Sequence, residues 1–187
     1  FEIWVCADGY WCDHTKNLVL AHLREDYVRL EEELMAVYAE AIAFCERIRT
    51  LRPDVAFGAD LIAGFPTETD AMFEATLDIV DACGLAYLHV FPFSARPGTP
   101  AAKMPQVRGP KVKERAATLR ARGQAALAAH LGRQVGRTLD VLIERNGVGR
   151  TPDYAPVRFD GAAEVGAIVP MMIVAADAER LTARRAA

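Results

Sequence analysis

The 187 residues are 52% apolar and 25% charged, which excludes a disordered chain and leaves room for one large domain or for a medium and a small one. The formal net charge of −3 is too small to name a charged partner, and no apolar run is long enough to cross a bilayer as a helix.

The N-terminus has no basic region followed by an apolar run, so no signal peptide is expected. Cys6, Cys12, Cys45 and Cys83 are sparse and unevenly spaced, unlike a secreted disulfide framework, and a reducing cytoplasm is the expected setting. "FEIWVCADGYWCDH" reads as a short strand and a turn at Asp8-Gly9. Cys6, Cys12, Asp13 and His14 are metal-ligating residue types. Their spacing is wider than that of structural zinc pairs, so packing or a free thiol is the expectation and no metal site is assigned.

Residues 24–51 read as a helix with one apolar stripe, Leu30, Leu34, Val37, Ala41, Phe44, Ile48 and Leu51, and Pro53 stops it. Residues 55–63 are nearly continuously apolar, as in a parallel strand covered on both faces. A helix is expected over 67–83, capped by Thr67 or Thr69, with Met72, Phe73, Thr76, Leu77, Val80 and Cys83 inward and Gly84 at its end. Residues 85–93 form the next strand, which completes a βαβ unit. Cys45 and Cys83 are then core residues. "SARPGTPAAKMP", residues 94–105, is rich in proline and is expected to be loop.

A long helix follows over 108–131, interrupted at Gly123. The segment 103–122 holds Lys103, Arg108, Lys111, Lys113, Arg115, Arg120 and Arg122 against the single acid Glu114, either a polyanion contact or a solvated face. Beyond a boundary near 132–136, "RTLDVLIE" alternates with Leu139, Val141 and Ile143 on one face. "APVRF" and "GAIVPMMIVAA" follow, separated by "NGVGRTPD" and "DGAAEVG", a pattern of short strands that predicts a small β-barrel.

Ligands of parallel α/β sheets bind at the carboxyl ends of the strands. Residues 60–68 and 94–99 occupy two such exits and are expected to border one pocket. Gly64 would let backbone approach a ligand, Pro66 would stiffen the turn, Phe65 would cover a ring such as adenine, and Glu68 would accept from a ribose or amine. The alternative is a tight strand-to-helix turn with Phe65 buried. Arg96 would grip a carboxylate or phosphate, aided by Gly98 and Thr99, or else tie its loop to a neighbouring acid. Asp60 and Ser94 complete this candidate cofactor set. His89 would face the same interior or be a satisfied core histidine.

"DLIAGFPTET" and "LHVFPFSARPGTPAA", in this order, resemble the second half of the radical S-adenosylmethionine barrel of the methylthiotransferase family, and "GRTLDVLIERNGVGRTPDYAPVRF" is similar to its TRAM domain. The resemblance runs from about Tyr38 to Leu181. It implies an α/β fold, a partial parallel (β/α) barrel over 38–131 followed by a small all-β TRAM barrel over 132–187, with 1–37 unassigned. It implies the branch that adds a methylthio group to carbon 2 of N6-threonylcarbamoyladenosine at position 37 of transfer RNA. The implied cofactors are S-adenosylmethionine and [4Fe-4S] clusters, one of them held by Cys-x3-Cys-x2-Cys, and the implied partner is the anticodon stem-loop, with no DNA or membrane.

No Cys-x3-Cys-x2-Cys occurs in the sequence. The chain is therefore expected to be a piece of such an enzyme that does not make the radical unaided, and no catalytic residue is assigned. A non-catalytic RNA-binding remnant and a relative that modifies a ribosomal protein are the other readings. Lys111, Arg115, Arg122, Arg145, Arg150, Tyr154 and Arg158 are the expected RNA contacts, through phosphate pairing and base stacking.

Overall fold

The computed structural model describes the backbone of residues 2–6 and 27–186 and the side chains of residues 37–186. The readings of Cys6, Cys12, Asp13 and His14 concern side chains outside that range. The chain divides into two compact units inside its last helix, the first holding residues 2–5 and 27–122, the second Cys6 and residues 123–186.

The first unit is a three-stranded sheet with helices packed on one face. Its order is β1 (Glu2–Cys6), β2 (Ala56–Ala63) and β3 (Leu85–Pro92). β2 and β3 run parallel, with Ala63 opposite Pro92, so both strands end at one edge. Between them lies α2 (Asp70–Ala82), capped by Thr69, whose hydroxyl accepts from Met72 N at 3.1 Å. The expected helix over 67–83 is shorter at its start because Thr67 takes a left-handed backbone, φ 69°.

The core joins Phe57, Ala59, Leu61 and Ala63 of β2 to Phe73, Leu77 and Val80 of α2, Cys45 of α1 (Tyr27–Leu51), and Ala116 and Leu119 of α4 (Gly109–Gly132). Two helix faces differ in phase from the sequence reading. In α1 the residues packed on this core are Tyr38, Ala41, Ile42, Cys45 and Ile48, while Phe44 is exposed and Leu51 is 75% exposed. In α2 Ile79 is buried and Met72 is exposed.

Among the described residues, only one face of β2 carries packed helices, whereas its apolar run suggested cover on both. Asp60 lies opposite His89 and Ile62 opposite Phe91, and both apolar residues of these pairs stand about half exposed, at 52% and 51%. The loop 94–105 also contains a short helix, α3 (Pro100–Lys103), with Thr99 at its cap and Pro100 in its first turn.

The second unit is a closed five-stranded barrel, order β4-β5-β6-β8-β7. Its strands are β4 (Thr138–Arg145), β5 (Val148–Arg150), β6 (Pro156–Phe159), β7 (Ile168–Ala176) and β8 (Leu181–Arg185). The alternation read in β4 holds, with Val141 and Ile143 buried and Leu139 packed beside them. β5 lies inside a segment read as a separator. Asn146-Gly147 is a two-residue hairpin turn, for which Gly147 supplies φ 73°, and pairing resumes at once.

α4 runs through Gly123 without the expected interruption. The units part there rather than at 132–136 because Leu127 and Leu131 pack into the barrel core with Val157, Phe159, Met171 and Ile173.

Candidate functional site

The exit of β2 is fastened from within. Gly64 N donates to Glu68 Oε2 at 2.9 Å, and Thr67 N donates to Pro105 O at 3.2 Å. Glu68 also receives Arg115, whose Nη1 lies 2.6 Å from Oε2 and 3.0 Å from the backbone oxygen. Arg115 Nη2 reaches Asp70 Oδ1 at 2.7 Å, and Lys111 stands 3.2 Å from the same oxygen. These two cations, Arg115 first, hold the Asp70 carboxyl below the usual range. Burial works against the charge on Arg115, and the two carboxylates outweigh it.

Three sequence readings are corrected by this network. Arg115 is 3% exposed and does not reach a phosphate backbone. Glu68 spends its carboxylate on Gly64 and Arg115 rather than offering it to a ribose. A Cβ on Gly64, whose φ is 76°, would stand 2.6 Å from Val112 Cγ2, so the close approach this glycine permits is that of α4.

The remaining members of the set gather at the same edge because β2 and β3 are parallel. Phe65 is half-buried and meets Phe93 edge to face, with ring centroids 5.4 Å apart. Pro66 is buried, while Ser94, Arg96 and Gly98 are exposed. Thr99 Oγ1 donates to Arg96 O at 2.8 Å and accepts from Ala102 N at 3.3 Å, which shapes the loop under Arg96. The Arg96 guanidinium has no ion-pair partner among the described residues. Asp60 Oδ1 lies 3.0 Å from His89 Nδ1 across the paired strands β2 and β3.

The described residues do not fit an iron–sulfur cluster. A cubane of this kind needs three thiolates around it, and Cys45 and Cys83 are both fully buried. The hydrogen bond that the Cys83 thiol donates to Cys45, and then burial, push Cys83 upward, away from the thiolate a metal requires. Among the described residues no group of three or more His, Cys, Asp or Glu is arranged to hold a metal ion. No described helix is long and apolar enough to cross a membrane.

In the second unit, β4, β5 and β6 present arginines outward. Arg145 pairs with Val148 and Val148 with Arg158, so the two cations share one row across three strands. Val157 and Phe159 point into the core, which turns Arg158 out. Arg150 lies on the middle strand, its Nε donating to Glu144 at 2.8 Å and its Nη1 to Tyr154 O at 3.1 Å. Tyr154 is 46% exposed in the turn between β5 and β6. Arg184 joins this exposed side from β8, the neighbour of β6, a position the sequence reading missed because β8 was not recognised as a strand. Alternation around Leu181 and Ala183 was the available signal. In the first unit Lys111 and Arg122 are held by acids, Lys111 by Asp70 and Glu114 and Arg122 by Asp81 at 3.3 Å.

No family model matches the chain. It is 46% identical over 136 residues to a threonylcarbamoyladenosine tRNA methylthiotransferase of Rickettsia prowazekii, covering 73% of this chain and 32% of that protein. It is 42% identical over 152 residues to a tRNA-2-methylthio-N(6)-dimethylallyladenosine synthase of Novosphingobium aromaticivorans, covering 78% of this chain and 34% of the relative. With the synthase of that name from Roseobacter denitrificans it shares 40% over 178 residues, covering 90% and 36%. The chain is a partial relative of the tRNA methylthiotransferases, spanning about a third of the length of the curated relatives it matches.

Proposed function

We propose that this chain serves a tRNA methylthiotransferase that modifies N6-threonylcarbamoyladenosine at position 37. The first unit would be part of the radical S-adenosylmethionine barrel and the second its TRAM domain, which holds the anticodon stem-loop. The identity of 46% to a threonylcarbamoyladenosine tRNA methylthiotransferase carries the reading. The outward arginines of β4, β5 and β6 support an RNA-binding role, since phosphate contacts provide most of the affinity of such modules.

For S-adenosylmethionine, the fit is with the exit of β3. Arg96 is a cation without a partner among the described residues, at the edge where Phe65 and Phe93 meet. It would pair with the carboxylate of the methionine part, and bound S-adenosylmethionine would supply the methyl group. The residues described do not supply the cluster. A second reading keeps only the RNA-binding role, supported by the outward arginines of β4, β5 and β6.

Binding of synthetic anticodon stem-loops to the chain, titrated with salt, tests the proposal. Affinity is expected to fall steeply with salt, and Arg145→Glu with Arg158→Glu to flatten the log–log slope by about 0.7 to 0.9 for each phosphate left without its arginine. A stem-loop carrying threonylcarbamoyladenosine should bind more tightly than one carrying dimethylallyladenosine. Equal, salt-independent binding by the wild type and the double reversal would overturn the RNA role. A preference for dimethylallyladenosine would move the chain to the other substrate its relatives name.

A further inference from the structure

The turn from Thr151 to Ala155 is fastened from several sides, and its least favourable residue is the one left in water. Thr151 N donates to Ala155 O at 3.1 Å and Tyr154 N to Thr151 O at 3.0 Å. The Thr151 hydroxyl accepts from Ala155 N at 2.9 Å and donates to Asp153 Oδ1. The other Asp153 oxygen lies 2.6 Å from His130 Nε2, on the last turn of α4. His130, Thr151 and Ala155 are buried.

Within this frame Tyr154 has φ 66°, a left-handed backbone that glycine or asparagine adopts more cheaply than a bulky aromatic. Such strain persists where the surroundings over-determine it. A turn serving only to connect β5 to β6 would be better made with glycine. Here a tyrosine takes that position and stands 46% exposed, its backbone oxygen held by Arg150, whose rung on β5 separates the turn from the row of Arg145 and Arg158.

We infer that this turn is a pedestal that presents the Tyr154 ring to an unpaired RNA base, with His130 as the positioning residue that acts through Asp153. The inference rests on the RNA reading above. The phenol ring offers a flat face for stacking while the neighbouring guanidiniums hold the backbone that carries the base. Rigidity matters because a ring fixed before binding loses little freedom when the base arrives.

The test uses the full chain and a stem-loop with an unpaired loop. Tyr154→Gly should leave the melting temperature level or higher, yet weaken RNA binding about tenfold or more with an unchanged salt slope. Tyr154→Phe should bind like the wild type. His130→Ala should weaken binding in the wild-type background but add little to Tyr154→Gly, and His130→Gln, which keeps an N–H donor, should restore part of the loss. If His130→Ala does not fold, His130→Gln and Thr151→Val take its place in the same cycle.

Salt-dependent binding by the wild type together with undiminished binding by Tyr154→Gly would overturn the pedestal and leave the RNA reading standing. Equal losses from the His130 variant in both backgrounds would overturn its positioning role. A wild type that does not bind RNA would overturn both.

Discussion

Arg115 and Glu68, 47 residues apart in sequence, meet at 2.6 Å with both side chains largely out of water. The pair holds the β2 exit against α4, since Glu68 also accepts from Gly64 N and Arg115 also reaches Asp70. The guanidinium lies over the Phe73 ring at 5.3 Å as well, which ties it to the start of α2.

Arg115→Ala is therefore expected to destabilise the chain by about 3 to 5 kcal/mol, because it leaves a carboxylate inside without its cation. Arg115→Lys should recover only part of this, since an ammonium does not reproduce the two-pronged contact to Glu68 and Asp70. Urea unfolding followed by circular dichroism measures both. A loss below about 1 kcal/mol for the alanine variant, the scale of an exposed ion pair, would contradict the buried network.

Gly64→Ala carries two penalties, one conformational and one steric. The left-handed backbone costs about 1 to 2 kcal/mol with a Cβ present. The new atom would also stand 2.6 Å from Val112 Cγ2. Adding Val112→Ala to Gly64→Ala should recover the steric share and not the conformational one, so the double variant should be less destabilised than the sum of the singles. Strict additivity in the same unfolding assay would place the cost elsewhere.

Thr67 offers the opposite case. Its φ of 69° burdens a β-branched residue, and its N–H is kept by Pro105 O. Thr67→Gly should raise stability by roughly 0.5 to 1 kcal/mol, as relief of the backbone strain exceeds the entropy glycine adds to the unfolded chain. Thr67→Pro should instead be destabilising, because the ring forbids this φ and removes the donor to Pro105. Thermal unfolding with a lower midpoint for the glycine variant would rule out strain at this turn.

Asp153 predicts how the barrel responds to acid. Burial raises its pKa, but the hydrogen bonds from His130 and Thr151 outweigh it and hold the carboxyl below its ordinary value. A carboxyl depressed in the folded state stabilises that state above the unfolded pKa, and the benefit disappears as pH falls through the folded one. The melting temperature should thus decline on acidification below about pH 4, and Asp153→Asn should decline less steeply over that window while being less stable at neutral pH. Parallel curves for the two proteins would show that Asp153 does not carry this dependence.

Elements whose signals are local could be read from the residues alone. Thr69 caps α2 as the short-range pattern indicates, Gly84 follows its end, and the alternation of Leu139, Val141 and Ile143 fixes which side of β4 enters the barrel. The family was legible too, because "DLIAGFPTET" and "LHVFPFSARPGTPAA" keep their order and spacing. What those motifs touch follows from packing between distant segments. Gly64 and Glu68 look outward-facing in sequence, yet Val112 and Arg115 approach them from a helix more than 40 residues away. Periodicity shows that a face is apolar, but a helix turns about 100° per residue, so a small rotation brings Cys45 inward and leaves Phe44 in water. The short strand β5 was equally hidden: three residues carry too little alternation to read, and only the pairing of Val148, Gly149 and Arg150 on both sides makes them a strand. Tyr154 was legible as an aromatic among basic residues, but its left-handed backbone was not.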